Sequence, residues 1–363
     1  MGQGPAGRLT ALDGLRGIAV LAVVGYHTNL RPFRGGDLGV QVFFVLSGFL
    51  ITSVLLRELD RTGRVGLGAF YLRRLLRLAP ALLVVVGAVL LVAAFGLGRV
   101  ARDYSPHDLR LQSLLAATYL SDVAAASGFD MGPLLHTWTL SIEEHFYLLW
   151  PPALVFVARR RLGGVFPLAV SLVLAGVILR AAMALSGAPL IRTTYGPDVR
   201  SDGLLLGCAL AALLTQRAIP GWLHRVRPGW VGAAVLLSAI IHPPSNRADA
   251  LGAYTLTSLA ALLLLIGLLP GGDESLRRVV SWSPLVHVGQ ISYGLYLWNF
   301  LTVRLIDEHT VPLPGPFSGA VRIALCFLAA ELSYLLVEQP FLRLKEALAT
   351  RNEPLPKASA TQG

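Results

Sequence analysis

The chain has 363 residues, 54% of them hydrophobic and 14% charged, with a formal net charge of +10 and a mean hydropathy of +0.63. A soluble domain carries about a quarter charged residues, so this composition excludes one and describes a polytopic membrane protein. The two cysteines, Cys208 and Cys326, stand inside apolar runs, which argues against a disulfide framework, and the CxxC and HxxxH spacings of common metal sites are absent, so no metal is expected.

A membrane span needs about 20 mostly apolar residues. Ten runs qualify in chain order: 13–30, 38–56, 78–98, 138–158, 164–186, 201–217, 228–242, 251–270, 285–306 and 317–338. The run at 228–242 is short and bounded by Pro228 and Pro243. The first run has no A-x-A cleavage site after it and reads as a retained span. With the N-terminus cytoplasmic, 19 of the 31 lysines and arginines fall in inside segments and 8 in outside ones. That bias is the one expected of a bundle with both ends inside. The positive charge is thus mostly a topology signal and does not argue for nucleic acid. The expected architecture is all-α: a polytopic bundle of about ten transmembrane helices, N- and C-termini cytoplasmic, in the plasma membrane of a bacterium. Residues 1–344 form the membrane domain, and 345–363 a polar, disordered cytoplasmic tail. The longest outside connection, 99–137, contains "DLRLQSLLAATYL", whose apolar residues recur at helical spacing. It reads as a helix that covers the bundle or dips into the membrane.

The first span, "ALDGLRGIAVLAVVGYHTNL", holds Asp13, Arg16 and His27. Ionisable groups in hydrocarbon are costly and ask for a reason. Arg16 and His27 are eleven residues apart, which at about 100° per residue puts them on one helix face, roughly 16 Å apart along the axis. Asp13, three residues before Arg16, shares that face. The span therefore shows one polar stripe with Arg16 towards the cytoplasm and His27 in the outer half. The plain alternatives are a snorkelling Asp–Arg pair and a packing histidine.

Further along, "GGDLGVQVFFVLSGFLIT" opens the second span, with Gly35, Gly36 and Gly39 suited to a tight entry and Ser47 and Gly48 to close packing. "FYLRRLLRLAP" sets Arg73, Arg74 and Arg77 at the cytoplasmic mouth of the third span, either as topology signal or as a phosphate clamp. "HTWTLSIEEHFYLLWP" places Glu143 and Glu144, followed by His145, in the outer half of the fourth. Adjacent helical residues point about 100° apart, so one acid can face a site while the other meets a neighbour. "GPDVRSDGLLLG" clusters Asp198, Arg200 and Asp202 at the outer end of the sixth. "ISYGLYLWNF" brings Asn299 to the outer half of the ninth, and "VEQPF" ends the last span at Pro340.

Taken in register, "LDGLRGIAV…YH", "GVQVFFVLSGFLIT", "RRLLRLAP", "TWTLSIEEHFYLLWP", "DVRSDGLLLG", "ISYGLYLWN" and "EQPF" resemble the acyltransferase-3 family of integral membrane O-acyltransferases, over about Leu12 to Arg343. The resemblance implies transfer of an acyl group, usually acetyl from acetyl-CoA, to a hydroxyl. Family acceptors are sugars of cell-surface glycans and, in some bacteria, macrolide antibiotics. It implies essential roles for the R-x10-H pair at Arg16 and His27, and an acyl-CoA role for Arg73, Arg74 and Arg77. The chain departs from the family pattern at Gln41, often Asp, at His145, often Gln, and at Asn299, often His. The last removes a second proton carrier and throws the acid–base work onto His27. The reading is of a stand-alone member without an SGNH hydrolase-like domain.

The expected chemistry follows. Acyl-CoA, a co-substrate and not a resident cofactor, docks its phosphates on Arg73, Arg74 and Arg77 with help from Arg16. The acceptor, a hydroxylated sugar or a glycosylated small molecule, enters past Asp198, Arg200 and Asp202. His27 takes the hydroxyl proton, since imidazole titrates near neutral pH. Glu143 or Glu144 orients it as the acid of a triad does, and Asn299 holds the oxyanion. A covalent acyl-histidine is the rival route. The competing class is a transporter of glycolipid or small solutes, which lacks support from inverted repeats or paired broken helices.

Overall fold

The computed structural model describes residues 5–217, 219–245, 249–306 and 315–351, and the regular elements among them are all helical. The main helices are α1 (Pro5–His27), α2 (Gly39–Thr62), α3 (Leu67–Ala94), α4 (Pro106–Ala117), α5 (Trp138–Arg160), α6 (Val165–Leu185) and α7 (Asp202–Leu214). They continue with α8 (Pro228–Ile241), α9 (Tyr254–Leu268), α10 (Ser283–Gln290), α11 (Ser292–Leu305), α12 (Gly315–Ser333) and α13 (Gln339–Arg351).

Five helical stretches are long and apolar enough to cross a membrane, namely Gly36–Thr62, Leu67–Ala94, Leu162–Leu185, Leu251–Leu268 and Phe317–Lys345. They make the chain a multi-pass membrane protein. Helices α7 and α8 are apolar but shorter. Helices α1, with Asp13, Arg16 and His27, and α5, with Glu143, Glu144 and His145, are not among the five. The ninth apolar run is broken: α10 ends and α11 begins around Ile291. The last run does not stop at Pro340. A π-helical turn, Tyr334–Glu338, precedes it, and α13 starts with Pro340 as its second residue. The wider π-turn directly before it, whose end Gln339 bonds through its N–H to Tyr334 O, carries the helix on into the proline. Helix α13 runs to Arg351, and residues 352–363, the rest of the expected tail, lie outside the described residues, as does Arg247.

Two helix pairs are held by glycine. A Cβ on Gly14 would lie 1.6 Å from the Val280 carbonyl oxygen, and one on Gly289 would lie 1.7 Å from that of Asp13, so α1 runs backbone to backbone against α10 and the turn before it. In the same way a Cβ on Gly48 would meet the Leu204 oxygen at 1.8 Å, and one on Gly207 the Val45 oxygen at 2.1 Å, which fixes α2 on α7. Small residues let backbones approach this closely, and in lipid such packing is a main source of helix association. Gly289→Ala is therefore expected to lower the unfolding temperature in detergent by an amount equivalent to about 1–3 kcal/mol or more. An unchanged melting temperature would show that the pair yields without cost.

The apolar core divides into two clusters, one drawing on α2, α3, α5, α6 and α11, the other on α1, α2, α7 and α9. Helices α1 and α2 contribute to both.

Candidate active site

Helix α1 carries one polar residue into each of two cavities. Arg16 lines the first, of about 310 Å³, together with Arg73, Arg74, Arg77, Ser47 and Lys345. His27 lines the second, of about 390 Å³, with His136, Arg200, Asp37 and a rim of aromatic rings. The eleven-residue spacing on one helix thus separates an arginine-lined chamber from a histidine-lined one.

In the arginine chamber the three cations of α3 do not act alike. Arg77 is exposed and Arg73 half-buried. Arg74 is turned inward: its Nε donates to Glu144 Oε1 at 2.7 Å and its Nη2 to Glu143 Oε2 at 3.2 Å. Its guanidinium also lies 3.1 Å over the ring of Tyr147, whose hydroxyl is hydrogen-bonded to Ser47. Arg74 is the cation that neutralises two acids in the interior, and not a free arm for phosphate. The same geometry corrects the role expected for Glu143 and Glu144. Neither bonds to His27, because both carboxylates converge on the one guanidinium that buries with them. Asp13 takes the place expected for it, 3.8 Å from Arg16 Nη1. His145 belongs to neither chamber; its Nδ1 is 3.0 Å from the buried carboxylate of Asp122.

In the histidine chamber His27 packs edge-on to Phe300 at 5.1 Å and to Tyr26 at 5.3 Å. Its Nδ1 is buried without a hydrogen bond. Of the polar side chains around it, Asn299 is placed to serve the ring as a hydrogen-bond partner, and Arg304 acts on it through charge. Its amide nitrogen is spent on its own helix, donating to Leu295 O at 3.0 Å and Tyr296 O at 2.6 Å, while Oδ1 has no partner. Asn299 can therefore accept a hydrogen bond from His27 but has no donor left for an oxyanion. This reverses the role its residue type suggested.

His136, the first residue of the "HTWTL" stretch, was not singled out by the sequence reading. It is 3% exposed, lines the same chamber as His27 and stacks on Phe300 at 5.2 Å. The removal of a second histidine inferred from Asn299 is thus offset from a different part of the chain. The signal lay in the motif itself, a histidine two residues ahead of the tryptophan that opens α5.

The Asp198–Arg200–Asp202 cluster does not converge on one ligand. Asp198 accepts two hydrogen bonds from Arg192, at 2.8 and 2.6 Å. Partial burial works against its charge, but those bonds outweigh it and hold the carboxyl below its ordinary range. Asp202 accepts from the fully buried Arg180 at 3.1 Å and from Thr255 at 2.5 Å. Each acid is thus taken by an arginine, Asp202 by the buried Arg180 and Asp198 by the partly exposed Arg192, and neither lines the chamber. Only Arg200 does. It lies 3.5 Å over the Tyr254 ring, and the Gln41 amide accepts from its guanidinium at 2.8 and 3.2 Å while donating to Ser258 at 2.9 Å.

Val40 and Tyr296 appear in the walls of both chambers. Tyr296 is fixed there: its hydroxyl donates to the His136 carbonyl at 2.6 Å and is bonded to Thr139 Oγ1 at 2.6 Å.

The acyltransferase-3 model, described as an acyltransferase domain, matches residues 9–337. A Staphylococcus aureus (strain COL) protein with the provisional name O-acetyltransferase is 35% identical over 358 residues, which is 92% of this chain and 57% of that one. The peptidoglycan O-acetyltransferase OatA of Listeria monocytogenes is 30% identical over 352 residues, 91% of this chain and 55% of its own. A Bacillus subtilis (strain 168) protein provisionally named peptidoglycan O-acetyltransferase YrhL is 32% identical over 355 residues, 92% of this chain and 54% of its own. The chain spans about half the length of these curated relatives. No solved structure matches. With a match that runs through both chambers and nearly every helix described above, the chain belongs to the acyltransferase-3 family.

Proposed function

We propose that this chain is an integral membrane O-acyltransferase that moves an acyl group, acetyl in the simplest case, from acyl-CoA to a hydroxyl of a surface-glycan sugar. The observation that carries the reading is the pair of chambers on α1, one cationic and one lined by histidine, sharing Val40 and Tyr296. Ten spans, with both termini on the cytoplasmic side of a bacterial plasma membrane, would open the arginine chamber to the cytoplasm and the histidine chamber outward. The names of the relatives, which specify O-acetyl transfer and in two cases peptidoglycan, support the acceptor class.

In this reading the CoA phosphates meet Arg73 and Arg77, with Arg16 deeper along the arm, and the thioester reaches the shared wall. The rim of Tyr26, Trp138, Tyr195 and Tyr254 suits a sugar, offering flat apolar faces beside polar tips. Oδ1 of Asn299 accepts from one nitrogen of His27 and fixes its tautomer, leaving the other nitrogen as the base. His27 takes the acceptor proton as the oxygen attacks the thioester carbon. Collapse of the tetrahedral intermediate breaks the C–S bond, and the same proton leaves with the thiolate. Val40 and Tyr296 stand in the walls of both chambers, so donor and acceptor would meet at the same two residues, which suits the direct route better than an acyl-histidine.

Free-thiol release from acetyl-CoA by purified protein, with and without glycan fragments, tests the assignment. Acceptor-dependent release is expected, and none with any glycan hydroxyl would overturn it. Arg73→Ala with Arg77→Ala should raise KM for acetyl-CoA by about tenfold or more while kcat changes little, since each charge-assisted bond is worth about 1.5–3 kcal/mol. A loss confined to kcat would remove the phosphate role from these two residues.

A further inference from the structure

We infer that His136 is a second catalytic residue of the histidine chamber and donates the hydrogen bond that holds the oxyanion during acyl transfer; the inference rests on the acyltransferase reading above. Neither buried ring nitrogen makes a hydrogen bond of good geometry, with the Leu297 backbone the one main-chain group that bears on the ring. More than about nine in ten buried polar groups are paired, so an imidazole at 3% exposure with neither nitrogen bonded calls for a partner that arrives later. Because the ring lines the chamber, that partner is the ligand. The ring is held in place to meet it, stacked on Phe300 at an interplanar angle of 28°, with its own backbone carbonyl gripped by the Tyr296 hydroxyl. Phe300 is also the ring against which His27 packs, so the two imidazoles flank one phenyl group at 5.1 and 5.2 Å.

The chemistry of the step needs such a donor. When the acceptor oxygen adds to the thioester carbon, the carbonyl π electrons move to oxygen and make an alkoxide. That charge is best met by a preset N–H in a site closed to water. Asn299 has committed its N–H groups to Leu295 and Tyr296, and Tyr296 has committed its hydroxyl hydrogen to His136 O. The Arg200 guanidinium is anchored on Gln41 and Tyr254 and leaves its buried Nε without a partner, so it can add a second donor beside His136. A neutral imidazole carries one N–H and one bare nitrogen. His136 thus has a donor available while His27 handles the proton, and on collapse the oxyanion electrons re-form the carbonyl as thiolate leaves.

The test compares wild type, His136→Phe and His136→Gln as full-length protein in detergent, assayed for acetyl-CoA-dependent acetylation of a glycan fragment and for melting temperature. His136→Phe keeps the stacking and loses both nitrogens. It should lower kcat by about 10²–10³-fold, leave KM for acetyl-CoA within about twofold, and melt at or above the wild-type temperature, because an unpaired buried polar group has been removed. His136→Gln, which restores an N–H, should recover part of kcat. A His136→Phe variant with kcat within threefold of wild type overturns the inference. So does a Phe variant that melts well below wild type, with Gln no more active than Phe, since that is the mark of a structural histidine. A wild-type protein that transfers nothing overturns the acyltransferase reading, and this inference with it.

Discussion

Purified His27→Ala is expected to lose acyl transfer while reaching the membrane as a folded protein. General-base catalysis contributes about 10²–10⁴-fold, so a fall of at least about 10²-fold in kcat is expected. The fold should tolerate the change. His27 Nδ1 makes no hydrogen bond, and the ring's contacts are edge-on packing against Tyr26 and Phe300. His27→Ala therefore strands no buried partner except Oδ1 of Asn299. The measurement is acceptor-dependent thiol release at matched protein, with the melting temperature as the control for folding. Activity retained in full by a well-folded variant would remove His27 from the mechanism.

The other large effect should come from Arg74, and it should be on stability. Arg74, Glu143 and Glu144 are all largely buried, with side-chain exposures of 16%, 15% and 24%. Removing the cation leaves two adjacent carboxylates facing each other in the interior. Breaking a buried charge pair from one side costs about 3–5 kcal/mol, and here two acids lose their counter-charge together. Arg74→Ala is thus expected to fail to accumulate or to melt far below wild type. Combining Arg74→Met with Glu143→Gln and Glu144→Gln should recover most of that loss, because a neutral replacement of a buried ion pair is often close to neutral in stability. Had Arg74 been a phosphate arm, Arg74→Ala would melt normally and show only a raised KM for acetyl-CoA. The two outcomes separate cleanly in one thermal-unfolding experiment with a kinetic assay beside it.

What the sequence makes legible is local. Each apolar run carries helix, and the relation between Arg16 and His27 follows from helix geometry alone, because both lie on one uninterrupted element. The partners of charged residues are set by three-dimensional packing and escape that arithmetic. Glu143 and Glu144 meet a guanidinium about 70 positions earlier in the chain. Asp202 is claimed by Arg180, a residue that in sequence is one more cation inside an apolar run, and Asp198 by Arg192. Asn299 changes from donor to acceptor only once the carbonyls of its own preceding turn are seen to use its amide. His136 was hidden for a related reason. At the mouth of a span, beside a tryptophan, it reads as interfacial decoration until its burial is known.

Val40 and Tyr296 belong to both chambers, and this constrains how such a protein can change over evolutionary time. A substitution at either is felt by two ligands at once, so it cannot retune preference for one without disturbing the other. Tyr26, Tyr195 and Tyr254 touch the histidine chamber alone, and Arg73 and Arg77 the arginine chamber alone. Drift at these positions is free to follow a single partner. If the histidine chamber takes the acceptor, as proposed, new acceptors are reached by varying an aromatic rim while a shared two-residue wall stays put. That gives one scaffold room to diversify on one side without relearning the other.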